Sequence, residues 1–150
     1  MRVEHNEPIL LVEDSDEDYA ITRRSFAKAG LINPLFRVPD GESALDFLYR
    51  RGEYEDPATA PRPGVILLDL NLPGTDGREV LKAIKQDEFL RKIPVIVLTT
   101  SSADSDIQLC YDCGANSYIV KPVELENFID AVARLRDYWF KIVILPKFED

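Results

Sequence analysis

Four apolar runs in this chain each end in a charged or hydroxyl-bearing side chain. These positions are Glu13-Asp14 after residues 9–12, Asp69 after residues 65–68, Thr99 after residues 95–98 and Lys121 after residues 118–120. If the runs are neighbouring parallel strands, their carboxyl ends bring three acids, one hydroxyl and one ammonium to one edge of a sheet. Carboxylates are ligands that a hard divalent cation accepts, and a carboxylate can also act as a nucleophile. The pattern therefore predicts a site that holds a divalent cation and accepts a phosphoryl group.

The spacing of the apolar residues predicts the elements that position this site. Short apolar runs alternate with helix-like segments, which is typical of a parallel sheet covered on both faces. The predicted strands are residues 9–12, 35–38, 65–68, 95–98 and 117–120. The first of five helices begins after a capping Ser15. The last helix has an apolar stripe formed by Leu125, Phe128, Ile129, Val132 and Leu135. Right-handed crossovers place all strand carboxyl ends on one edge, so a doubly wound α/β fold is predicted.

The length and composition favour one compact domain. The chain has 150 residues, of which 45% are hydrophobic, enough for a substantial core. We predict a single domain over residues 1–150, with a core over about 8–136 and a C-terminal extension over 137–150. Residues 50–64 contain three prolines and should form a loop. Residues 141–146 have the pattern of a short extra strand.

Two aromatic residues, Trp139 and Phe140, extend the last helix beyond its apolar stripe. Together with the apolar tail, they form more apolar surface than a free terminus normally carries. The two explanations are a homodimer through the last helix and tail, and a tail that folds back on its own domain. We favour the homodimer, in which twofold symmetry would place the two surfaces together.

The charge of the chain limits its partners. A formal net charge of −9 at pH 7 argues against nucleic acid, whose recognition needs clustered lysine and arginine. It also argues against binding to anionic membranes. The acidic, polar beginning has no signal-peptide core, and no apolar stretch has the length of a transmembrane helix. We therefore expect a cytoplasmic protein.

Cys110 and Cys113 have the spacing Cys-x-x-Cys. A redox pair usually begins a helix, whereas this pair precedes Gly114, a typical helix end. No second pair of cysteines or histidines completes a zinc site. Two reduced, structural cysteines are therefore the favoured interpretation.

Several short motifs carry a resemblance to a known family. They are Val12-Glu13-Asp14, Leu68-Asp69-Leu70-Asn71-Leu72-Pro73, Thr99-Thr100 and Val120-Lys121-Pro122, supported by Asp40-Gly41 and Cys113-Gly114-Ala115. Together they resemble the signature of the two-component response-regulator receiver domain, from about Pro8 to Leu135. The resemblance implies a flavodoxin-like, five-stranded parallel sheet of order 2-1-3-4-5 with five helices. It implies a phosphoacceptor whose donor is a histidine kinase and whose output is contact with a downstream protein.

A narrower resemblance concerns the kinase. Residues 51–54, residues 76–81 and the tail through Leu145-Pro146 are similar to single-domain response regulators associated with phytochromes. This similarity implies a light-sensing histidine kinase, a phytochrome, as the upstream partner.

The resemblance also implies roles for the residues of the site. Asp69 is the phosphoacceptor and, with Asp14, binds Mg²⁺ directly, while Glu13 reaches the cation through water and Asn71 offers its backbone carbonyl. Mn²⁺ can substitute for Mg²⁺. Lys121 pairs with Asp69 at rest and with a phosphoryl oxygen after transfer, and a cis Lys121–Pro122 bond is implied.

A conformational switch is implied at two further positions. Thr99 hydrogen-bonds the phosphoryl group, and Tyr118 then turns inward. These movements are how an added charge would change a protein-binding surface.

Other phosphate-binding classes fit less well. A phosphatase of the haloacid dehalogenase class needs an acid two residues after its nucleophile, where this chain has Asn71. Glu13 and Asp14 would repel the phosphate of a flavodoxin ligand, and the chain has no P-loop. The remaining alternative is an interaction module that works without phosphorylation. Since all the acids, the hydroxyl and the lysine are present, we predict a phosphoacceptor that catalyses only its own Mg²⁺-dependent phosphorylation and dephosphorylation.

Overall fold

The computed structural model describes residues 6–146 as alternating strands and helices. The strands are β1 (Ile9–Val12), β2 (Leu35–Val38), β3 (Val65–Leu68), β4 (Val95–Thr99) and β5 (Ser117–Val120). The helices are α1 (Asp16–Lys28), α2 (Gly41–Tyr49), α3 (Gly77–Gln86), α4 (Asp104–Cys113) and α5 (Leu125–Asp137). The predicted strand bounds are confirmed, except that β4 also includes Thr99. Over residues 6–146, no helix has the length and apolar character needed to cross a membrane.

All five strands are parallel and lie in the order β2-β1-β3-β4-β5, which confirms the expected topology. The register aligns the strand ends that matter for the site. Val12 pairs with Leu68 across β1 and β3, so Glu13 and Asp69 leave the sheet side by side. Thr99 pairs with Val120 across β4 and β5, so Lys121, the residue after Val120, leaves the sheet beside Thr99.

The core consists of two apolar layers, one on each face of the sheet. One layer joins the sheet to α2, α3 and α4, and the other joins it to α1 and α5. β1, β3 and β4 are buried along their whole length. A strand buried on both faces carries a continuous apolar run, as these three do. The buried centre of the sheet therefore carries Glu13, Asp69 and Thr99 at its carboxyl edge.

Side chains at helix beginnings fix the loops around the sheet edge. The Ser15 side chain caps α1 by accepting a hydrogen bond from the backbone N–H of Asp18. The Asp40 side chain caps α2 by accepting from the backbone N–H of Ser43. Asp76 caps α3 by accepting from the N–H of Arg78. Each cap satisfies a donor that the first helical turn leaves free.

The predicted stripe on α5 is buried only in part. Phe128, Val132 and Leu135 pack into the core, whereas Leu125 and Ile129 are exposed. The helix contacts the sheet and α1 along a band that is narrower than its apolar face. Two apolar side chains therefore remain on the surface.

The tail folds back on its own domain, and the predicted extra strand is wrong. Residues Tyr138–Ile142 form a π-helical turn. Phe140 is 1% exposed, and its ring meets that of Phe26 edge-on with centroids 5.3 Å apart. Leu145 is also buried. This burial corrects the expectation that Phe140 lies on a dimer surface, because the ring completes the layer under α1 and α5. Trp139 is half-buried against the same layer.

Both cysteines lie in the second half of α4. Both are reduced, Cys110 buried and Cys113 half-buried. Burial raises the pKa of Cys110 to about 11, which opposes formation of the thiolate that redox chemistry needs.

Candidate functional site at the carboxyl edge of the sheet

Four side chains predicted from the sequence meet at the carboxyl edge of the sheet, and all four are buried. Their exposed fractions are 3% for Glu13, 6% for Asp69, 7% for Lys121 and 0% for Thr99. Charged side chains are rarely so buried unless they are paired or bind a metal. The three buried charged side chains are therefore expected to have charged or metal partners.

Lys121 is the centre of the charge cluster. Its Nζ lies 2.6 Å from Glu13 Oε1, 2.8 Å from Asp18 Oδ2 and 3.0 Å from Asp69 Oδ2. An ammonium has three N–H donors, so every donor of Lys121 has a carboxylate partner. The sequence predicted the pair with Asp69. It did not predict the pairs with Glu13 and Asp18.

Asp69 uses its two oxygens differently. Oδ2 accepts from Lys121, and Oδ1 accepts from the backbone N–H of Asn71 at 3.1 Å. The amide side chain of Asn71 donates to the Thr100 hydroxyl at 3.3 Å. The carboxylate is thus fixed by contacts from β5 and from its own loop. A nucleophile held in one orientation loses little entropy on reaction.

Glu13, Asp14 and Asp69 form an acidic group that fits a divalent cation. One oxygen of each lies within 4.8 Å of the other two, and Asp14 is exposed at the mouth of the group. Two carboxylates about 4 Å apart repel each other by about 4 kcal/mol at an effective dielectric near 20. A divalent cation carries twice the charge of one carboxylate and binds at about 2.0–2.1 Å, so its attraction exceeds that repulsion. The donor set consists of oxygens, as Mg²⁺ and Mn²⁺ require.

The proton affinity of Glu13 reflects its burial. Burial raises the pKa of Glu13 to about 7, although the hydrogen bond and charge of Lys121 oppose this rise. Burial also disfavours the charge on Lys121, but its hydrogen bonds to Asp18 and Glu13 outweigh burial and hold its pKa above the usual range. Lys121 is therefore charged at neutral pH, and a positive charge stands permanently beside Asp69.

The Thr99 hydroxyl is buried and has no hydrogen-bond partner within residues 6–146. Such a group normally costs stability, because water would satisfy it in the unfolded chain. Thr99 is the last residue of β4, next to β3, whose end carries Asp69. A hydrogen-bond acceptor attached to Asp69 would give this hydroxyl the partner that it lacks.

Tyr118 is half-buried, and its hydroxyl donates to the carbonyl of Ser101 at 2.9 Å. Its ring packs against the core layer below α4. Tyr118 therefore holds the loop that follows Thr99. The inward turn of Tyr118 on phosphorylation remains a prediction.

A network that sequence reasoning missed extends from this loop. The Ser101 hydroxyl donates to Asp106 Oδ2 at 2.6 Å, and Arg78 donates two bonds of 2.7 Å to the same carboxylate. Arg78 also pairs with Asp76 at 3.0 Å. Arg78, followed by Ser101, lowers the pKa of Asp106 to about 2. The spacing gave no signal for this network, because Arg78 and Asp106 lie on different helices.

Gly77 allows α3 to begin directly behind the Asp69 loop. A Cβ at this position would lie 2.3 Å from the carbonyl oxygen of Asp69 and 2.5 Å from the Cα of Leu70. Real side chains do not come so close to a backbone. Gly77 is therefore a packing requirement of the site.

The Lys121–Pro122 bond differs from the family expectation. No peptide bond within residues 6–146 is cis, so the implied cis bond is wrong. The register of β5 and the three carboxylates nevertheless direct the Lys121 ammonium into the site.

The chain is similar to known proteins over nearly its whole length. The model of the response regulator receiver domain family matches residues 9–133. The response regulator Rcp1 of Synechocystis sp. is 42% identical over 148 residues, which cover 97% of this chain and 99% of that relative. The crystal structure of the Mn²⁺-bound form of Rcp1 has a TM-score of 0.90 at 41% identity, covering 94% of this chain and 99% of that one. The phosphorylated cyanobacterial phytochrome response regulator RcpA has a TM-score of 0.88 at 40% identity, covering 95% and 99%.

Proposed function

This chain belongs to the response regulator receiver domain family, and from this premise we propose that Asp69 accepts a phosphoryl group from a histidine kinase. One observation carries the proposal. Asp69 is buried with one oxygen 3.0 Å from the Lys121 ammonium, within an acidic group that fits a divalent cation. A nucleophilic carboxylate beside both a fixed positive charge and a cation site is suited to phosphoryl transfer.

The transfer needs little from the protein beyond position and charge. An oxygen of Asp69 attacks the phosphorus of a phosphohistidine, the N–P bond breaks, and the imidazole leaves with the electron pair. Lys121 donates to one negatively charged phosphoryl oxygen, and the Thr99 hydroxyl donates to another. Such donors act where charge develops in the transition state. No external substrate is turned over, because the product is the phosphorylated chain itself.

Mg²⁺ is the proposed cofactor, and Mn²⁺ can substitute for it. Glu13, Asp14 and Asp69 would hold the cation through carboxylate oxygens, and Asn71 would contribute its backbone carbonyl. The bound cation supplies positive charge that neutralises the phosphoryl oxygens. The three carboxylates are already gathered within 4.8 Å, which supports this assignment.

The output is proposed to be a change in a protein-binding surface. A phosphoryl group would draw the Thr99 hydroxyl toward Asp69 and with it the loop that ends at α4. Tyr118 holds this loop through the Ser101 carbonyl, so it would sense the movement. A downstream protein that contacts this region would then bind one state more tightly than the other.

The upstream partner is proposed to be a phytochrome that acts as a histidine kinase. The support is similarity: RcpA, which matches 95% of this chain, is a cyanobacterial phytochrome response regulator. A light-sensing kinase of that kind would phosphorylate Asp69 in response to light.

A homodimer through α5 and the tail is proposed as well. With Phe140 buried, the surface available for it consists of the exposed apolar side chains of Leu125, Ile129, Tyr138, Ile142 and Ile144. Leu125 and Ile129 lie on α5, Tyr138 and Ile142 lie in the turn that continues it, and Ile144 follows that turn. An apolar group of this kind on a small protein is a common interaction surface.

The proposal is tested by intact mass after incubation with acetyl phosphate, with and without Mg²⁺. We expect one phosphoryl adduct in the wild type with Mg²⁺ and none in Asp69→Asn, which keeps the shape of the side chain. Binding of Mg²⁺ by the wild type is measured in parallel. A folded wild type that binds Mg²⁺ and forms no adduct, with acetyl phosphate or with a phosphorylated phytochrome, would favour an interaction module that works without phosphorylation.

A further inference from the structure

One carboxylate of the charge cluster has no part in the phosphoryl chemistry described so far. Asp18 lies 2.8 Å from Lys121 Nζ, as close as the phosphoacceptor Asp69 at 3.0 Å. It is not among the three carboxylates whose oxygens lie within 4.8 Å of one another. Asp18 therefore contacts the lysine without belonging to the group that fits a cation.

The backbone on both sides of this carboxylate is fixed. The N–H of Asp18 donates to the Ser15 hydroxyl at 3.1 Å, and its carbonyl accepts from the Thr22 hydroxyl at 2.9 Å. The Asp18 side chain is 27% exposed, while that of Lys121 is 6% exposed. A firmly held helix thus presents the carboxylate to a buried ammonium.

The other two partners of Lys121, Glu13 and Asp69, are also candidate ligands of a cation. Glu13 and Asp69 hold the lysine at 2.6 and 3.0 Å, and both also belong to the acidic group that fits a cation. A divalent cation bound there would compete with Lys121 for their oxygens, because both attract the same negative charge. Asp18 is the partner of Lys121 that is not among the candidate ligands of the cation.

We propose that Asp18 is a positioning residue that keeps the Lys121 ammonium directed into the site when a cation engages Glu13 and Asp69. The inference rests on the proposed phosphoacceptor function and adds a residue to it. Lysine has a flexible four-carbon side chain, so its position depends on its partners. Without the Asp18 carboxylate, the Lys121 ammonium would pair only with Glu13 and Asp69. A cation would have to displace the ammonium from these two carboxylates in order to bind.

The first test measures the affinity for Mn²⁺, from the electron paramagnetic resonance signal of the free ion. Asp18→Asn removes the charge and keeps the size, and Glu17→Gln is the matched control on the same helical turn. We expect Asp18→Asn to weaken Mn²⁺ binding about tenfold and Glu17→Gln by about twofold or less. This readout does not require the protein to be phosphorylated.

A double-mutant cycle shows whether Asp18 acts through the lysine. In a Lys121→Met background, Asp18→Asn should weaken Mn²⁺ binding no more than Glu17→Gln does, since no ammonium is left to position. An equal loss from Asp18→Asn in both backgrounds would overturn the proposal, because it would show a direct effect of charge on the cation.

The rate of adduct formation from acetyl phosphate is the second readout. We expect Asp18→Asn to slow it by about tenfold or more, and Asp18→Glu, which keeps the charge, to restore most of the rate. A wild type that forms an adduct while Asp18→Asn equals Glu17→Gln would overturn the positioning role alone. Absence of the adduct from the wild type would instead contradict the proposed function.

Discussion

The buried hydroxyl of Thr99 shows how single residues of this site combine stability with function. It has no hydrogen-bond partner within the described residues 6–146. A buried polar group without a partner typically costs about 1–3 kcal/mol of folding free energy. A phosphoryl oxygen on Asp69 would supply the missing acceptor. The free energy that the unpaired hydroxyl costs at rest would then favour the phosphorylated state.

Thr99→Val separates the two effects, because valine has the shape of threonine without the hydroxyl. We expect the free energy of unfolding in urea to stay the same or rise by about 1 kcal/mol. The rate of adduct formation from acetyl phosphate should fall by about tenfold or more, because a donor to the phosphoryl group is lost. Thr59→Val, at an exposed threonine in the loop between α2 and β3, is the control. A destabilised Thr99→Val that is phosphorylated at the wild-type rate would contradict this role.

Residues at strand ends could be predicted from the sequence, and residues on helices could not. Asp69, Thr99 and Lys121 follow apolar runs, and parallel strands bring such positions together in any fold of this class. Asp18 reaches Lys121 across 103 positions in the chain. An acid in the first turn of a helix is common for reasons of the helix dipole alone.

At the scale of elements, the Arg78–Asp106 pair joins α3 to α4. Arg78 makes two bonds of 2.7 Å to Asp106, and the two side chains are 25% and 16% exposed. Asp106 in turn receives the Ser101 hydroxyl, so the pair also fixes the loop held by Tyr118. Bidentate arginine–carboxylate pairs are among the strongest polar contacts in proteins.

This pair should contribute to stability in a pH-dependent way. The pKa of Asp106 in the folded chain is about 2, below its ordinary value of 3.8. A lowered pKa means that the stabilisation is present above pH 3.8 and is lost as the pH falls toward 2.

Arg78→Met tests the contribution of the pair. We expect the free energy of unfolding at pH 7 to fall by about 1–3 kcal/mol, because the buried side of Asp106 loses its cation. The variant should also lose less stability than the wild type between pH 4 and pH 2. Arg134→Met, which breaks an exposed pair with Asp130, is the control and should change stability by less than about 0.5 kcal/mol. Equal losses in the two variants would refute the role of Arg78.

The elements themselves were predictable to different degrees. The bounds of β1, β2, β3 and β5 followed from apolar runs bounded by turns. The behaviour of the tail did not, because Ile142-Val143-Ile144 is a run of β-branched residues, which favours a strand over the turn that the structure contains. Burial of Phe140 against Phe26 decided between them, and such a long-range contact has no local signature.

At the scale of the whole molecule, several large apolar side chains on α5 and in the residues after it are exposed to solvent. The exposed fractions are 55% for Tyr138, 69% for Ile142 and 73% for Ile144. A second copy of the chain that covers this surface by twofold symmetry would bury them together.

Ile142→Glu tests the proposed homodimer. We expect the dimer dissociation constant, measured by sedimentation, to rise by about tenfold or more, since a charge would be buried in an apolar contact. Ile32→Glu is the matched control, because Ile32 is 74% exposed in the turn between α1 and β2. An unchanged constant in Ile142→Glu, or an equal change in both variants, would remove this surface from consideration.

The architecture was predicted from two sources. Alternation of strands and helices indicated a doubly wound fold, but the strand order β2-β1-β3-β4-β5 came from the resemblance and is confirmed. Periodicity tells which residues are buried in a strand and not which strands are neighbours. The family supplied the missing pairings.

Phosphorylation of Asp69 is tested most directly by locating the phosphoryl group in the chain. The protein is incubated with acetyl phosphate and Mg²⁺ and treated with borohydride, which reduces an aspartyl phosphate to homoserine. Peptide sequencing by mass spectrometry then identifies the modified position. Homoserine at position 69 and at no other carboxylate is the predicted result. Homoserine at Asp14 or Asp18, or 2-amino-5-hydroxypentanoic acid at Glu13, in place of homoserine at position 69 would contradict the assignment of Asp69 as the phosphoacceptor, as would an adduct that leaves no reduced carboxylate.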